Sequence, residues 1–134
     1  MTAPLSTRDV LTPIFAHVHE TGLGEEFFSA LADDLSFTAT GDSPLAGHYA
    51  SKAEYQSRIL DRLHDRLATS VRPTLEQMVV DGEWGVLRFR SEAVFGKNGA
   101  DFSMQYTWWL RVVEGQITEI IGFYDTHKMH ALFA

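Results

Sequence analysis

After Pro73 the chain adopts a period of two and keeps it almost to its end, which constrains the fold more than any other feature of the 134 residues. Stretches 74–80, 85–96, 102–113 and 117–124 alternate apolar and polar side chains, as half-buried antiparallel strands do. Asp81-Gly82, Asn98-Gly99 and Glu114-Gly115 separate them, and such dipeptides supply the left-handed backbone of tight hairpins. The spacing predicts a four-stranded meander. A two-residue turn at Asn98-Gly99 sets Phe95 opposite Phe102, Ala93 opposite Met104 and Ser91 opposite Tyr106. Phe89 then meets Trp108 and Leu87 meets Leu110 on the same face. The other face pairs Arg88 with Trp109 (a cation–π contact), Arg90 with Thr107 and Glu92 with Gln105. A three-residue loop holding Gly115 sets Arg111 against Glu119, Leu110 against Ile120, Trp108 against Gly122 and Tyr106 against Tyr124. A bulge in this second hairpin would shift its register.

Alternation thus gives an inner face with Phe89, Ser91, Met104, Tyr106, Trp108 and Tyr124. The outer face carries Trp109, Ile121 and Phe123 among charges, too apolar for full solvation, which suggests a partner subunit. Helices come first in the chain. Val10, Leu11, Ile14, Phe15 and Val18 recur at helical spacing over 7–20, interrupted by Pro13 and stopped at Thr21-Gly22. A second short helix reads over 23–32, then a strand over 35–40 and a turn from Gly41 to Gly47. Ser51 and Glu54 form a capping box ahead of a longer helix with Ile59, Leu60, Leu63 and Leu67 on one face. Asp125 caps a last helix from Thr126 to Phe133.

One domain over 1–134 follows, since no linker, repeat or low-complexity tract interrupts the pattern. Eleven Lys and Arg against eighteen Asp and Glu give a net charge of −7, unsuited to a phosphate backbone, so no nucleic-acid partner is expected. The absence of cysteine removes disulfides, thiolate zinc sites and cysteine nucleophiles. No apolar run approaches the ~20 residues of a membrane helix, and MTAPLSTRDV has no apolar leader core, so a cytoplasmic location is the expectation. His17 and His19 leave a helix on different sides, while His127 and His130 share a face without a placed carboxylate or thiolate. Neither pair predicts a metal, and no glycine-rich phosphate loop or serine elbow is present.

Two helices, a short strand, a Gly/Pro turn, a long helix and a meander ending in Asp125-Thr126 make a specific order. It resembles the SnoaL-like branch of the ketosteroid-isomerase-like superfamily, the nuclear-transport-factor-two-like fold. LADDLSFTATGDSPLAGHYASKAEY (Leu31 to Tyr55) and RVVEGQITEIIGFYDT (Arg111 to Thr126) carry the resemblance. It implies an α+β cone, a curved antiparallel sheet wrapped around a long helix with an apolar pocket inside, and dimers through the outer sheet face. It also implies where isomerase machinery would stand: near Phe15, Ala39 and Trp108. None of these is an acid or a phenol, so steroid isomerisation by that mechanism is not expected unless Asp42 takes the base role. The Asp–Arg–Asp set of limonene-epoxide-hydrolase-like members is not expected either, because Arg88, Arg90 and Arg111 read as outer-face.

SnoaL-like cyclases use a late-strand aspartate, often with a histidine, and Asp125 is the nearest match. A carboxyl at an apolar mouth suits a general acid, because desolvation favours its neutral form. His48, after the Gly47 turn, is a candidate base. Tyr106, Trp108 and Tyr124 are candidates to stack on a flat ligand and offer O–H or N–H groups, with Phe15, Tyr55 and Met104 reaching the same space. The expectation is a small-molecule pocket protein for an apolar polyketide-, steroid- or terpene-like compound. As an enzyme it would be a cofactor-free isomerase, cyclase or dehydratase. The alternatives are non-catalytic binding and an interaction module with a collapsed pocket.

Overall fold

The structure is a computed structural model that describes residues 6–134; residues 1–5, half of the stretch read for a leader, lie outside the described residues. Helix α1 (Thr7–Phe15) opens on a capping box: Ser6 Oγ accepts the Asp9 N–H at 3.1 Å and Asp9 accepts the Ser6 N–H. Pro13 removes one rung of its hydrogen-bond ladder, and α1 lasts two residues beyond it. The single helix expected over 7–20 is therefore α1 plus a separate turn, α2 (Val18–Thr21). Helix α3 (Glu25–Ala30) runs directly into strand β1 (Leu31–Ala39), which begins four residues earlier than its alternation suggested. A register shift between Leu31 and Ser36 holds Asp33 and Asp34 out in solvent. The stretch read as turn ends in a short strand, β2 (Gly47–Tyr49), antiparallel to β1.

The long helix has three parts: α4 (Lys52–Tyr55), a π-helical turn (Gln56–Leu60) and α5 (Asp61–Arg66). Ser51 caps it through the Glu54 N–H, while the Glu54 carboxylate accepts from Ala50 N–H, one residue before the expected partner. Gln56 donates to Asp61 at 2.7 Å, a five-residue step that matches the widened turn.

Strands β3 (Thr74–Asp81), β4 (Trp84–Ser91), β5 (Met104–Val113) and β6 (Gln116–Phe123) form the meander, and helix α6 (Thr126–Leu132) follows with Asp125 as N-cap. The sheet order is β2-β1-β6-β5-β4-β3, antiparallel except for the parallel β1–β6 pair.

The β4–β5 register differs from the expected one by two residues: Ser91 faces Met104, Phe89 faces Tyr106, and Leu87 faces Trp108. Two separate one-residue slips cause this. The loop at Asn98 holds three residues, closed by Gly96 N–H to Ala100 O at 2.8 Å. Ala93, at φ 55°, then inserts an extra residue just after the end of β4. Each slip alone reverses the faces; together they restore them. Between the slips the faces are reversed, so Val94 is buried and Phe95 stands outside, contrary to the expected Phe95–Phe102 pair. Arg88 faces Thr107 instead of Trp109, whose ring packs edge-on to Trp84 at 6.4 Å.

The β5–β6 hairpin keeps the expected Arg111–Glu119, Leu110–Ile120 and Trp108–Gly122 pairs by another route. Its turn has two residues, Glu114 (φ 52°) and Gly115 (φ 79°), and a bulge at Thr118 adds the missing residue. Arg111 bonds Glu83 at 2.7 Å, not the Glu119 opposite it.

Inward side chains of the sheet, with Leu11, Phe15 and Phe27 from the helices, form the core. Helix α1 lies so close to β4 that a Cβ on Gly85 would be 2.5 Å from Leu11 Cδ1. Trp109 and Phe123 remain 44% and 47% exposed on the outer face. No described helix is long and apolar enough to cross a membrane.

Candidate functional site

The inner face of the sheet and the α4–π–α5 helix enclose a cavity of about 610 Å³, within the range that holds small organic ligands. The collapsed interior required by the interaction-module reading is therefore not found. Trp108 anchors the wall. It sits mid-strand on β5, flanked by Leu87 and Gly122, and alternation turns it inward. Phe27 stacks on its indole at 5.5 Å, and Phe89, Phe37 and Phe15 meet it edge-on at 5.6 to 6.5 Å. These offset and T-shaped geometries suit the ring quadrupoles and fix the indole plane.

Its Nε1–H donates to the Tyr124 hydroxyl at 2.8 Å. Tyr124 follows the end of β6 and folds back across the sheet, an arrangement that Gly122 permits: a Cβ there would lie 2.6 Å from the ring's Cζ. Tyr106 stacks between Phe89 (5.1 Å) and Tyr124 (5.9 Å). Tyr55, at the end of α4, stacks on Phe37 at 4.3 Å. Burial pushes the Tyr55 hydroxyl well above the ordinary phenol range, and Tyr124 and Tyr106 push it further. Burial also raises Tyr106, with the neighbouring Ser91 hydroxyl opposing. In Tyr124 burial again dominates, opposed by the Trp108 N–H and reinforced by Tyr106. All three phenols are thus neutral donors at physiological pH.

Ser91 completes the wall. It is 4% exposed, lines the cavity, and its Oγ makes no hydrogen bond of ordinary geometry despite its influence on Tyr106. Glu25, Asp61 and His64, all exposed, mark the rim.

The sequence-derived candidates do not all converge. Tyr55, Met104, Tyr106, Trp108 and Tyr124 line the cavity together. Phe15 is buried behind the wall, supporting Trp108 without lining the space. His48 is exposed on β2 with Nε2 2.7 Å from Ser36 Oγ; its strand position, opposite Thr38, turns it away from the hollow. Asp125 accepts the Lys128 N–H at 3.2 Å as the α6 cap and borders a shallow outer depression with Arg88, Gln105 and Thr107. Asp42, the possible replacement base, is exposed and does not line the cavity, whereas Ala39 does. Sequence reasoning put Ser91 on the inner face without giving it a role. The signal was a lone hydroxyl in an otherwise apolar and aromatic alternation.

A mixed six-stranded sheet, packed on one side by helices around a hollow aromatic interior, defines an α+β cone of the ketosteroid-isomerase-like type. The SnoaL-like domain model matches residues 15–120, and the chain belongs to that family. Among curated proteins none matches in sequence. An NTF2-like protein from Burkholderia thailandensis superposes with TM-score 0.81 at 18% identity, covering 97% of this chain and 98% of its own. TerC, co-crystallised with polyporic acid, gives TM-score 0.74 at 16% identity, covering 94% of this chain and 96% of its own. A protein of ketosteroid isomerase-like fold from Catenulispora acidiphila, in complex with trimethylamine, gives 0.70 at 14%, covering 92% and 91%. At these identities the likeness is one of fold.

Proposed function

We propose that this protein is a small-molecule pocket protein that takes a flat, largely apolar ring compound of polyketide, steroid or terpene character into its cone. The observation that carries this reading is the cavity of about 610 Å³ walled by Trp108, Tyr106, Tyr124 and Tyr55. Aromatic walls with a few polar tips bury a planar ligand and orient its edge. TerC with polyporic acid and the Catenulispora protein with trimethylamine are precedents for small molecules on this fold. As an enzyme the protein would be a cofactor-free isomerase, cyclase or dehydratase. His48 and Asp125 lie off the cavity lining, which favours binding over turnover through those two groups. Titration with fluorene, followed by quenching of tryptophan emission, tests the reading. Saturable binding is expected, weakened at least about tenfold in Trp108→Ala and unchanged in His48→Ala and Asp125→Asn. Failure to saturate overturns it.

A second reading concerns assembly. The exposure of Trp109 and Phe123, with Ile121 half-buried on β6 opposite Trp109, supports a homodimer through the outer sheet face.

A further inference from the structure

We infer that the mouth of the cone is an aliphatic throat, walled by Leu23, Leu60, Leu63, Leu67 and Val71, that holds an uncharged hydrocarbon arm carried by the ring ligand. This rests on the pocket reading above and narrows its ligand class to rings that bear an alkyl chain. Exposure rises stepwise along the cavity lining. Trp108 and Tyr55 are buried in the wall, the aliphatic residues are half-buried, and Glu25, Asp61 and His64 stand exposed at the rim. The throat therefore lies between the wall and solvent. Its longest side is helical. The α4 segment and the π-helical turn bury Tyr55 and Ile59, whereas α5 buries none of its residues. Leu60, Leu63 and Leu67, which helical spacing predicts to be core, line the hollow instead over about 10 Å of the chain's rise.

Size, shape and charge together say what covers these side chains. The cavity of about 610 Å³ exceeds what a three-ring hydrocarbon fills at interior packing density, so a ring seated on the aromatic wall leaves the throat empty. Across from α5, the strap 22–24 meets the loop that leads into β3. Gly22, at φ 76° and ψ −175°, occupies a region that only glycine adopts readily. A Cβ there would lie 2.9 Å from the Val71 carbonyl oxygen. This backbone contact makes the throat a bounded passage instead of an open groove, which suits a thin chain better than a helix or strand of another protein. Among the described residues no lysine or arginine lines the cavity, and the carboxylates at its rim are those of Glu25 and Asp61. An arm ending in a carboxylate would meet like charge there, so a neutral hydrocarbon fits and a fatty-acid-like chain does not. Aliphatic contact asks for no donor or acceptor, and each methylene that leaves water adds a similar increment.

Fluorene and its derivatives with an ethyl, butyl or hexyl arm isolate this increment. Quenching of tryptophan emission gives the affinity of each. In the wild type, affinity is expected to rise about threefold per added methylene and to level off once the arm's end reaches solvent, a readout that needs no variant. Leu63→Gln puts an amide into the throat at a half-buried position, and glutamine is a good helix former, so α5 is retained. In that variant hexylfluorene is expected to bind about tenfold more weakly than in the wild type, with fluorene itself within about twofold. A hexyl arm ending in a carboxylate is expected to bind the wild type more weakly than the neutral arm. Affinity independent of arm length, an undiminished gain from the arm in Leu63→Gln, or tighter binding of the carboxylate overturns the throat while leaving the pocket reading intact. If none of the compounds saturates the wild type, both the pocket and the throat fall.

Discussion

Gly122 decides where Tyr124 goes, and Tyr124 decides whether the Trp108 N–H is satisfied. Gly122→Ala places a methyl carbon in the volume of the tyrosine ring, so the ring must swing away and the indole N–H loses its acceptor. The expected cost is about 2 kcal/mol, the scale of one unsatisfied buried donor, read from urea unfolding followed by tryptophan emission. Tyr124→Phe keeps the ring and loses only the acceptor, so it should cost less. The three raised phenols also set a limit at high pH. Their folded pKa values exceed the unfolded value of about 10, so they bind protons in the folded state that the unfolded chain has released. Their contribution is fully present below about pH 10, and above it stability falls by up to ~1.4 kcal/mol per pH unit for each phenol. Unfolding in one cooperative alkaline step, with phenolate absorbance rising together with loss of helix, is the expected record. Three independent titrations without unfolding would contradict it. Tyr106 and Trp108 were legible as cavity residues because strand parity alone aims them inward. The role of Gly122 was not, because it depends on the rotamer of a residue beyond the strand's end. His48 was misplaced for a related reason: a three-residue strand, Gly47–Tyr49, leaves too short a pattern to distinguish from a turn.

At the level of elements, the β4–β5 hairpin shows why faces are easier to read than partners. A face depends on parity, and parity survives any even displacement. The partner depends on loop length and on every bulge, here a three-residue loop and Ala93, whose signals are weak in a chain that also offers Asn98-Gly99. The β5–β6 hairpin reached the expected pairs through a two-residue turn plus a bulge at Thr118, so a correct register can hide an incorrect loop. The parallel β1–β6 pair was not legible, since the two strands lie far apart in sequence and alternation says nothing of direction. Ala93 makes the bulge testable. At φ 55° an L-residue pays a steric penalty that glycine avoids, offset by glycine's greater loss of freedom on folding. Ala93→Gly is expected to stabilise by about 0.5 kcal/mol, and Ala93→Val to destabilise by ~1–2 kcal/mol because a β-branched residue fits the left-handed region worse. Denaturant midpoints at unchanged slope measure both. Stabilisation by valine would mean that the local backbone is extended in solution.

At the scale of the whole molecule, the two faces of one sheet present separate surfaces because successive side chains point to opposite sides. The inner face is committed to the aromatic wall. The outer face leaves Val79, Trp109 and Phe123 each roughly half exposed, Trp109 held by an edge contact with Trp84. Ordering two indoles against each other on an exposed sheet suits a partner that covers them, and a second copy supplies the same surface by symmetry. Sedimentation at micromolar protein is expected to give twice the mass of one chain, and Trp109→Glu to give one chain. Because the buried contact would be apolar, raising salt from 0.1 to about 1 M should not dissociate it, whereas an association held by the surface ion pairs would weaken. Fluorene affinity in Trp109→Glu should match the wild type, since Trp109 and the cavity lie on opposite sides of β5. A monomeric wild type removes the dimer and leaves the pocket untouched. A monomeric variant that also loses the ligand would instead tie the curvature of the sheet, and with it the shape of the cavity, to the presence of the second copy.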